Sequence, residues 1–104
     1  MAQRPKGCQS IVMTADGYIH GDGVNPRNVY ALIITATGAT AGDKIVLRNG
    51  TETGTIKAQF ELPATAGLWC MDFGRYGIEF FVNCYVDFTI AGAAGTVTAT
   101  VIYG

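Results

Sequence analysis

The stretch DKIVLRNGTETGTIKAQFEL, residues 43–62, indicates how this chain folds. In its second half the apolar residues Ile56, Ala58, Phe60 and Leu62 alternate with polar residues. This alternation is typical of a β-strand with one buried face and one solvated face. Residues 44–48 form a second strand-like segment, and the intervening residues 49–54 are turn formers. The stretch therefore predicts an antiparallel hairpin.

The register of this hairpin depends on the length of its loop. A two-residue turn at Asn49-Gly50, which Asn-Gly alone favours, would place Leu47 opposite Glu52. If residues 49–54 all belong to the loop, Leu47 lies opposite Ile56 instead. A one-residue slip would turn every apolar side chain outward, so the buried face decides the register. We therefore predict the longer loop and the Leu47–Ile56 pair.

The rest of the chain repeats this pattern of short strands separated by turn residues. Further strand-like segments cover residues 10–14, 18–20, 29–37, 68–73, 78–90 and 96–103. Apolar spacing of the helical kind is not sustained anywhere in the chain. About eight strands at this spacing predict an all-β chain with a single antiparallel β-sandwich or jelly-roll-like domain over residues 10–104. Residues 1–9 are predicted to form an extended N-terminal arm.

The strand over residues 78–90 has the strongest apolar alternation and, at its length, is expected to bend or to contain a bulge. The apolar faces of this strand, of the hairpin and of the last strand are predicted to pack together. The predicted core residues are Phe60, Val82, Val86, Phe88, Val97 and Val101.

The strand over residues 29–37 is apolar on both faces, which places it either in the centre of a sandwich or at a subunit contact. Tyr30, Leu32 and Ile34 are therefore candidate interface residues. Arg4 and Lys6 are the others, because the N-terminal segment carries these two cations and no acid. That segment is either a solvated terminus or a basic arm that contacts a neighbouring subunit.

The composition restricts the class of partner. Net charge is −1 and only 14% of the 104 residues are charged, so neither nucleic acid nor an anionic membrane is expected to bind. The longest wholly apolar run, residues 29–34, is too short to cross a bilayer. Residues 1–8 contain no apolar core of a signal peptide, so we expect the chain to act without secretion by that route.

The sequence provides few residues for catalysis or metal binding. His20 is the single histidine, and neither a metal-ligand pattern nor a cofactor motif is present. We therefore predict that the chain is not an enzyme and holds no cofactor or metal. The three cysteines are an odd number, and hairpin spacing places Cys70 and Cys84 too far apart for a disulfide. All three are predicted to be free thiols packed in the core.

Residues 30–104 resemble small structural proteins of tailed bacteriophages. The resemblance is carried by the order of an apolar strand followed by Gly42-Asp43, Val46-Leu47, Asn49-Gly50-Thr51, Gly54-Thr55, Phe73-Gly74, Gly77-Ile78 and the final run GTVTATVIYG. It implies a β-sandwich that cements or decorates the virion head, often as a symmetric homo-oligomer bound to the major capsid protein. The resemblance also implies a location in the virion after assembly in the bacterial cytoplasm. It implies no catalytic residues for this chain.

Two other functions are consistent with the same sequence. One is a head fibre, neck or tail component that contacts another virion protein. The other is a small carbohydrate-binding β-sandwich that uses Trp69 or exposed tyrosines. The carbohydrate alternative requires coplanar aromatic rings on one exposed face, whereas a purely structural Trp69 would lie in the core.

Overall fold

The strands of this protein are defined by a computed structural model that describes residues 9–19, 26–40, 42–90 and 96–104. The order is β1 (Gln9–Met13), β2 (Gly17–Tyr18), β3 (Arg27–Ala36), β4 (Lys44–Asn49), β5 (Ile56–Glu61), β6 (Gly67–Asp72), β7 (Ile78–Phe80), β8 (Cys84–Thr89) and β9 (Val97–Tyr103). The arm was predicted over residues 1–9, but Gln9 already belongs to β1. Residues 1–8 lie outside the described residues.

Two antiparallel sheets pack face to face. Sheet I has the order β1-β9-β3-β6, with β7 also paired to β3, and sheet II has the order β2-β8-β4-β5. Strands β6 and β7 pair with successive segments of β3 in the same direction, so they are two parts of one edge strand. Counted in this way, each sheet has four strands, and nearly every connection crosses from one sheet to the other. This is the strand order of a jelly roll, and the predicted fold class is confirmed.

The core lies between the two sheets. Val86, Val97 and Val101 are buried there as predicted, and Phe60 and Phe88 are partly buried against the same cluster. Val82 was predicted to join them, but it is 42% exposed. The other large, fully buried apolar side chains of this core are Ile19, Val29, Leu32, Ile34, Ile45, Leu47 and Phe80. Val46 is also buried, but it alternates with Ile45 and Leu47 and lies on the outer face of sheet II.

Val82 is exposed because the predicted strand over residues 78–90 is two strands in different sheets. β7 ends at Phe80 and β8 begins at Cys84, so residues 81–83 form a corner. The loop of the β4–β5 hairpin holds this corner, since Asn49 Oδ1 accepts the Phe81 N–H at 2.9 Å. The Asn83 carbonyl accepts the Gly50 N–H, also at 2.9 Å. Alternation of side chains breaks at such a corner, and Val82 faces outward.

The β4–β5 hairpin has a longer loop, as predicted, but a different register. Leu47 lies opposite Ala58 rather than Ile56, and the pairing shifts between Leu47 and Arg48. Arg48 lies opposite Ile56, which leaves Lys57 as an extra residue in β5. The predicted Leu47–Ile56 pair is therefore wrong. The bulge turns Ile56 outward, where it is 46% exposed.

Strand β3 contains a second bulge. Its pairing with β9 shifts between Val29 and Ala31, so the alternation of side chains is interrupted at Tyr30. As a result Val29 joins Leu32 and Ile34 on the core side of sheet I. Unbroken alternation would instead place Val29 on the opposite face from those two residues.

Candidate interaction surface

The candidate interface residues of β3 lie inside the domain. Tyr30, Leu32 and Ile34 are 3%, 1% and 0% exposed, respectively. Leu32 and Ile34 belong to the core cluster, and the Tyr30 ring lies against the backbone near Gly77 and Gly104. The three side chains chosen as a subunit contact are thus covered by this chain itself, and the second face of β3, with Ala31 and Ile33, is the outer side of sheet I. Arg4 and Lys6 lie outside the described residues.

The outer face of sheet I is a better candidate for an interaction surface. The strand registers align its outward positions in three rows, two across all four strands and one across β9, β3 and β6. The rows are Ser10–Ile102–Ala31–Asp72, Val12–Thr100–Ile33–Cys70 and Thr98–Thr35–Leu68. Val12 and Leu68 are 64% and 67% exposed. Asp72, at the rim, is the single charged side chain in these rows, and its carboxylate accepts the Gly74 N–H at 2.8 Å.

The outer face of sheet II has the opposite character. Its outward positions include the charged residues Lys44, Arg48, Glu61 and Asp87. Arg48 Nε lies 3.1 Å from Asp87 Oδ2 in an ion pair whose side chains are 23% and 21% exposed. The Arg48 guanidinium also donates to the Gly54 carbonyl at 3.2 Å. Charges of both signs therefore occur on this face, so the two faces of the sandwich differ in charge.

The sequence does contain a signal for the outer face of sheet I. Residues 28–42, 62–71 and 88–104 carry no Asp, Glu, Lys or Arg. These three runs supply most of β3, most of β6 and all of β9. Without the topology nothing indicates that the runs lie side by side, and for that reason sequence analysis missed Val12, Leu68 and Cys70 as surface candidates.

Two pairs of aromatic side chains are in contact, and neither pair is flat. Trp69 packs against the core cluster, and its ring is tilted by 41° to that of Phe60 at a centroid distance of 5.8 Å. Tyr18 and Tyr85 meet edge to face on sheet II at 81°. Partial burial raises the pKa of Tyr85, and the carboxylates of Asp16, Glu52 and Asp87 raise it further. Neither pair provides the coplanar rings that the carbohydrate alternative requires.

The cysteines occupy contrasting sites. Cys70 and Cys84 are both free thiols, as predicted. Cys84 is buried in the core, where desolvation raises the pKa of its thiol far above the ordinary range. Cys70 is exposed on the outer face of sheet I, so its predicted place in the core is wrong. Cys8 lies outside the described residues.

A cleft of about 640 Å³ opens at one end of the sandwich, lined by residues of the β1–β2 turn, the end of β8 and the start of β9. Among its described lining residues Asp16 is the titratable one, and its carboxylate accepts the Phe88 N–H at 2.7 Å. Asp16 therefore holds the turn against β8. His20, the histidine considered for catalysis, lies outside the described residues.

The described residues include neither a metal site nor a membrane-spanning helix. No three His, Cys, Asp or Glu side chains in this part of the chain are grouped so that they could hold a metal ion. Nor do the described ranges include a helix of the length and apolar character that crossing a bilayer would require. No family model matches the sequence, and no curated protein is significantly similar to it.

Proposed function

We propose that this chain is a structural protein of a tailed-bacteriophage virion that cements or decorates the head by binding the major capsid protein. The observation that supports this proposal best is the set of three outer rows on sheet I, in which Asp72 is the single charged side chain. Such a face is expected to be covered in the working state, because extended surfaces poor in charge are typical of protein contacts. The sequence resemblance supplies the class of partner.

Cementing can result from many weak contacts that act together. Burial of apolar surface contributes roughly 25 cal/mol per Å², so a small contact made by one copy is weak. Many copies joined in a shell act together, because each bound contact raises the effective concentration of the next. A small β-sandwich with one face that is poor in charge and one that is charged suits this task, since one side can meet the shell while the other stays solvated.

A matched pair of substitutions tests which face binds. Thr35 lies on the outer face of sheet I and Thr89 on that of sheet II, and both are exposed strand residues. Thr35→Lys should weaken binding to heads stripped of this protein by at least tenfold, because it would bury an unpaired charge. Thr89→Lys should bind as the unmodified chain does. Co-sedimentation with stripped heads measures both, and equal binding by the two variants would contradict docking through sheet I.

The role in the particle is tested separately. Heads with and without the protein are heated or osmotically shocked, and their rupture is compared. If heads lacking the protein are as robust as complete ones, cementing is wrong and a head fibre, neck or tail role replaces it. Mass spectrometry of purified virions gives the copy number relative to the major capsid protein, which is high for a cement protein. Deletion of residues 1–6 shows whether Arg4 and Lys6 add salt-sensitive affinity.

A further inference from the structure

Strand β6 is an edge strand without the features that usually protect an edge. A free sheet edge offers unpaired N–H and C=O groups to another chain, and charges, prolines, bulges or short length normally discourage such pairing. In sheet II the edge strand β2 has two residues, and the edge strand β5 carries Lys57, Glu61 and a bulge. β6 reads GLWCMD, with a single charge at its end.

The core is also incompletely covered along this side of the sandwich. Strands β5 and β6 lie in different sheets and contain no fully buried residue, although both direct side chains towards the core. Ala58, Phe60, Trp69 and Met71 are the partly buried members that pack against the core cluster. At the other edge of sheet I, by contrast, Met13 of β1 is only 8% exposed. The core is therefore covered less completely at the β6 edge than at the β1 edge.

We propose that β6 pairs antiparallel with β6 of a second copy of this chain, about a twofold axis that passes between the two Cys70 residues. Such an axis places Trp69 opposite the second copy's Met71, so partly buried apolar side chains cover each other. It places Leu68 opposite Asp72 and keeps the two Asp72 carboxylates apart. Sheet I becomes one continuous eight-stranded sheet, and its outer face becomes a single surface of double width.

The charges of β5 are complementary under the same axis. The rings of Phe60 in β5 and Trp69 in β6 meet between the two sheets, with their centroids 5.8 Å apart. Their sequence neighbours Gln59, in sheet II, and Cys70, in sheet I, therefore lie at about the same level along the two edge strands. Lys57 and Glu61 lie two residues on either side of Gln59. A twofold axis near Gln59 therefore directs each Lys57 towards the Glu61 of the second copy. Lys57 is exposed, and its ammonium now lies 5.2 Å from the centroid of the Phe81 ring, so a change of rotamer can bring it to the interface.

The first test is the mass of the purified chain in solution, which does not depend on any role in a virion. Light scattering after size exclusion should give twice the 11.0 kDa of one chain. Cys70→Lys places two lysines face to face at the axis and should weaken the dimer by at least tenfold, whereas Cys70→Ser should leave it intact. A chain that stays monomeric at 200 μM, or a dimer unaffected by Cys70→Lys, would overturn the proposal.

Charge reversal tests the axis itself. Lys57→Glu and Glu61→Lys should each raise the dissociation constant at least threefold, because like charges then meet across the axis. The double variant exchanges the two charges and should restore the original affinity. Glu52→Lys, in the exposed hairpin loop, changes net charge as Glu61→Lys does and should have no effect. Failure of the double variant to restore affinity would exclude this axis.

Crosslinking provides an independent readout. Opposed residues of antiparallel strands have Cα atoms about 4.5–5.5 Å apart, which is within the range for a disulfide. In a Cys8→Ser background, diamide should oxidise two Cys70 thiols to one intermolecular disulfide while it is itself reduced to a hydrazine. The buried Cys84 should not react. A dimer that forms without this crosslink uses another edge, such as β1, and would contradict the proposal.

Discussion

Phe80 and Phe81 are neighbours in sequence with opposite environments, and their truncation should have very different effects on stability. Phe80 is fully buried, whereas Phe81 is 60% exposed and has the Lys57 ammonium 5.2 Å from its ring centroid. Phe80→Ala should cost about 3–5 kcal/mol, because it removes a whole buried ring and leaves a cavity. Phe81→Ala should cost about 1 kcal/mol or less, including the loss of an exposed cation–π contact.

Urea unfolding followed by the fluorescence of Trp69, the single tryptophan, measures both losses. For a domain of this size the difference corresponds to a separation of about 10 °C or more between the two melting temperatures. If Phe80→Ala does not fold, Phe80→Leu and Phe81→Leu provide a milder comparison in the same direction. Losses that agree within about 1 kcal/mol would show that the corner between β7 and β8 has been assigned wrongly.

Three further predictions concern single features of the fold. Gly77→Ala should cost about 2 kcal/mol or more and Gly74→Ala about 1 kcal/mol by urea unfolding. Both have positive φ, but a Cβ at Gly77 would lie 2.5 Å from a carbonyl oxygen while Gly74 has open space. A double-mutant cycle on Arg48 and Asp87 should give a coupling of about 1 kcal/mol that falls with added salt. Because burial raises the folded-state pKa of Cys84, its contribution to stability is present below about pH 9 and is lost as pH rises. Between pH 8 and pH 10 the unmodified chain should therefore lose about 1 kcal/mol more than Cys84→Ala does.

The sequence predicted the fold class and most strands because alternation of apolar and polar residues survives wherever a strand is regular. It failed where the backbone departs from that regularity. The hairpin register differs from the prediction by one residue at Arg48 and, beyond the bulge at Lys57, by two; the bulge at Tyr30 moves Val29 to the core side. A period of two contains no information on where an extra residue enters.

The interaction surface was harder to predict than the core. Its rows combine β1, β9, β3 and β6, which are far apart in sequence, and only the topology brings them together. Tyr30 was assigned to the surface because an apolar residue on a second face had no evident cover. The cover comes from near Gly77 and Gly104, two distant segments that local patterns cannot place beside it.

The position of β9 affects how the chain can be synthesised and folded. β9 follows the other described strands in sequence, yet it lies between β1 and β3 in sheet I. On a ribosome β1 and β3 emerge first and lack the strand that joins them until β9 has been made. Sheet I must therefore form after synthesis of β9, in a step dominated by non-local pairing and hence slow. A nascent chain that stops before Val97 should remain unfolded, and its protease resistance should appear abruptly once β9 has left the ribosome.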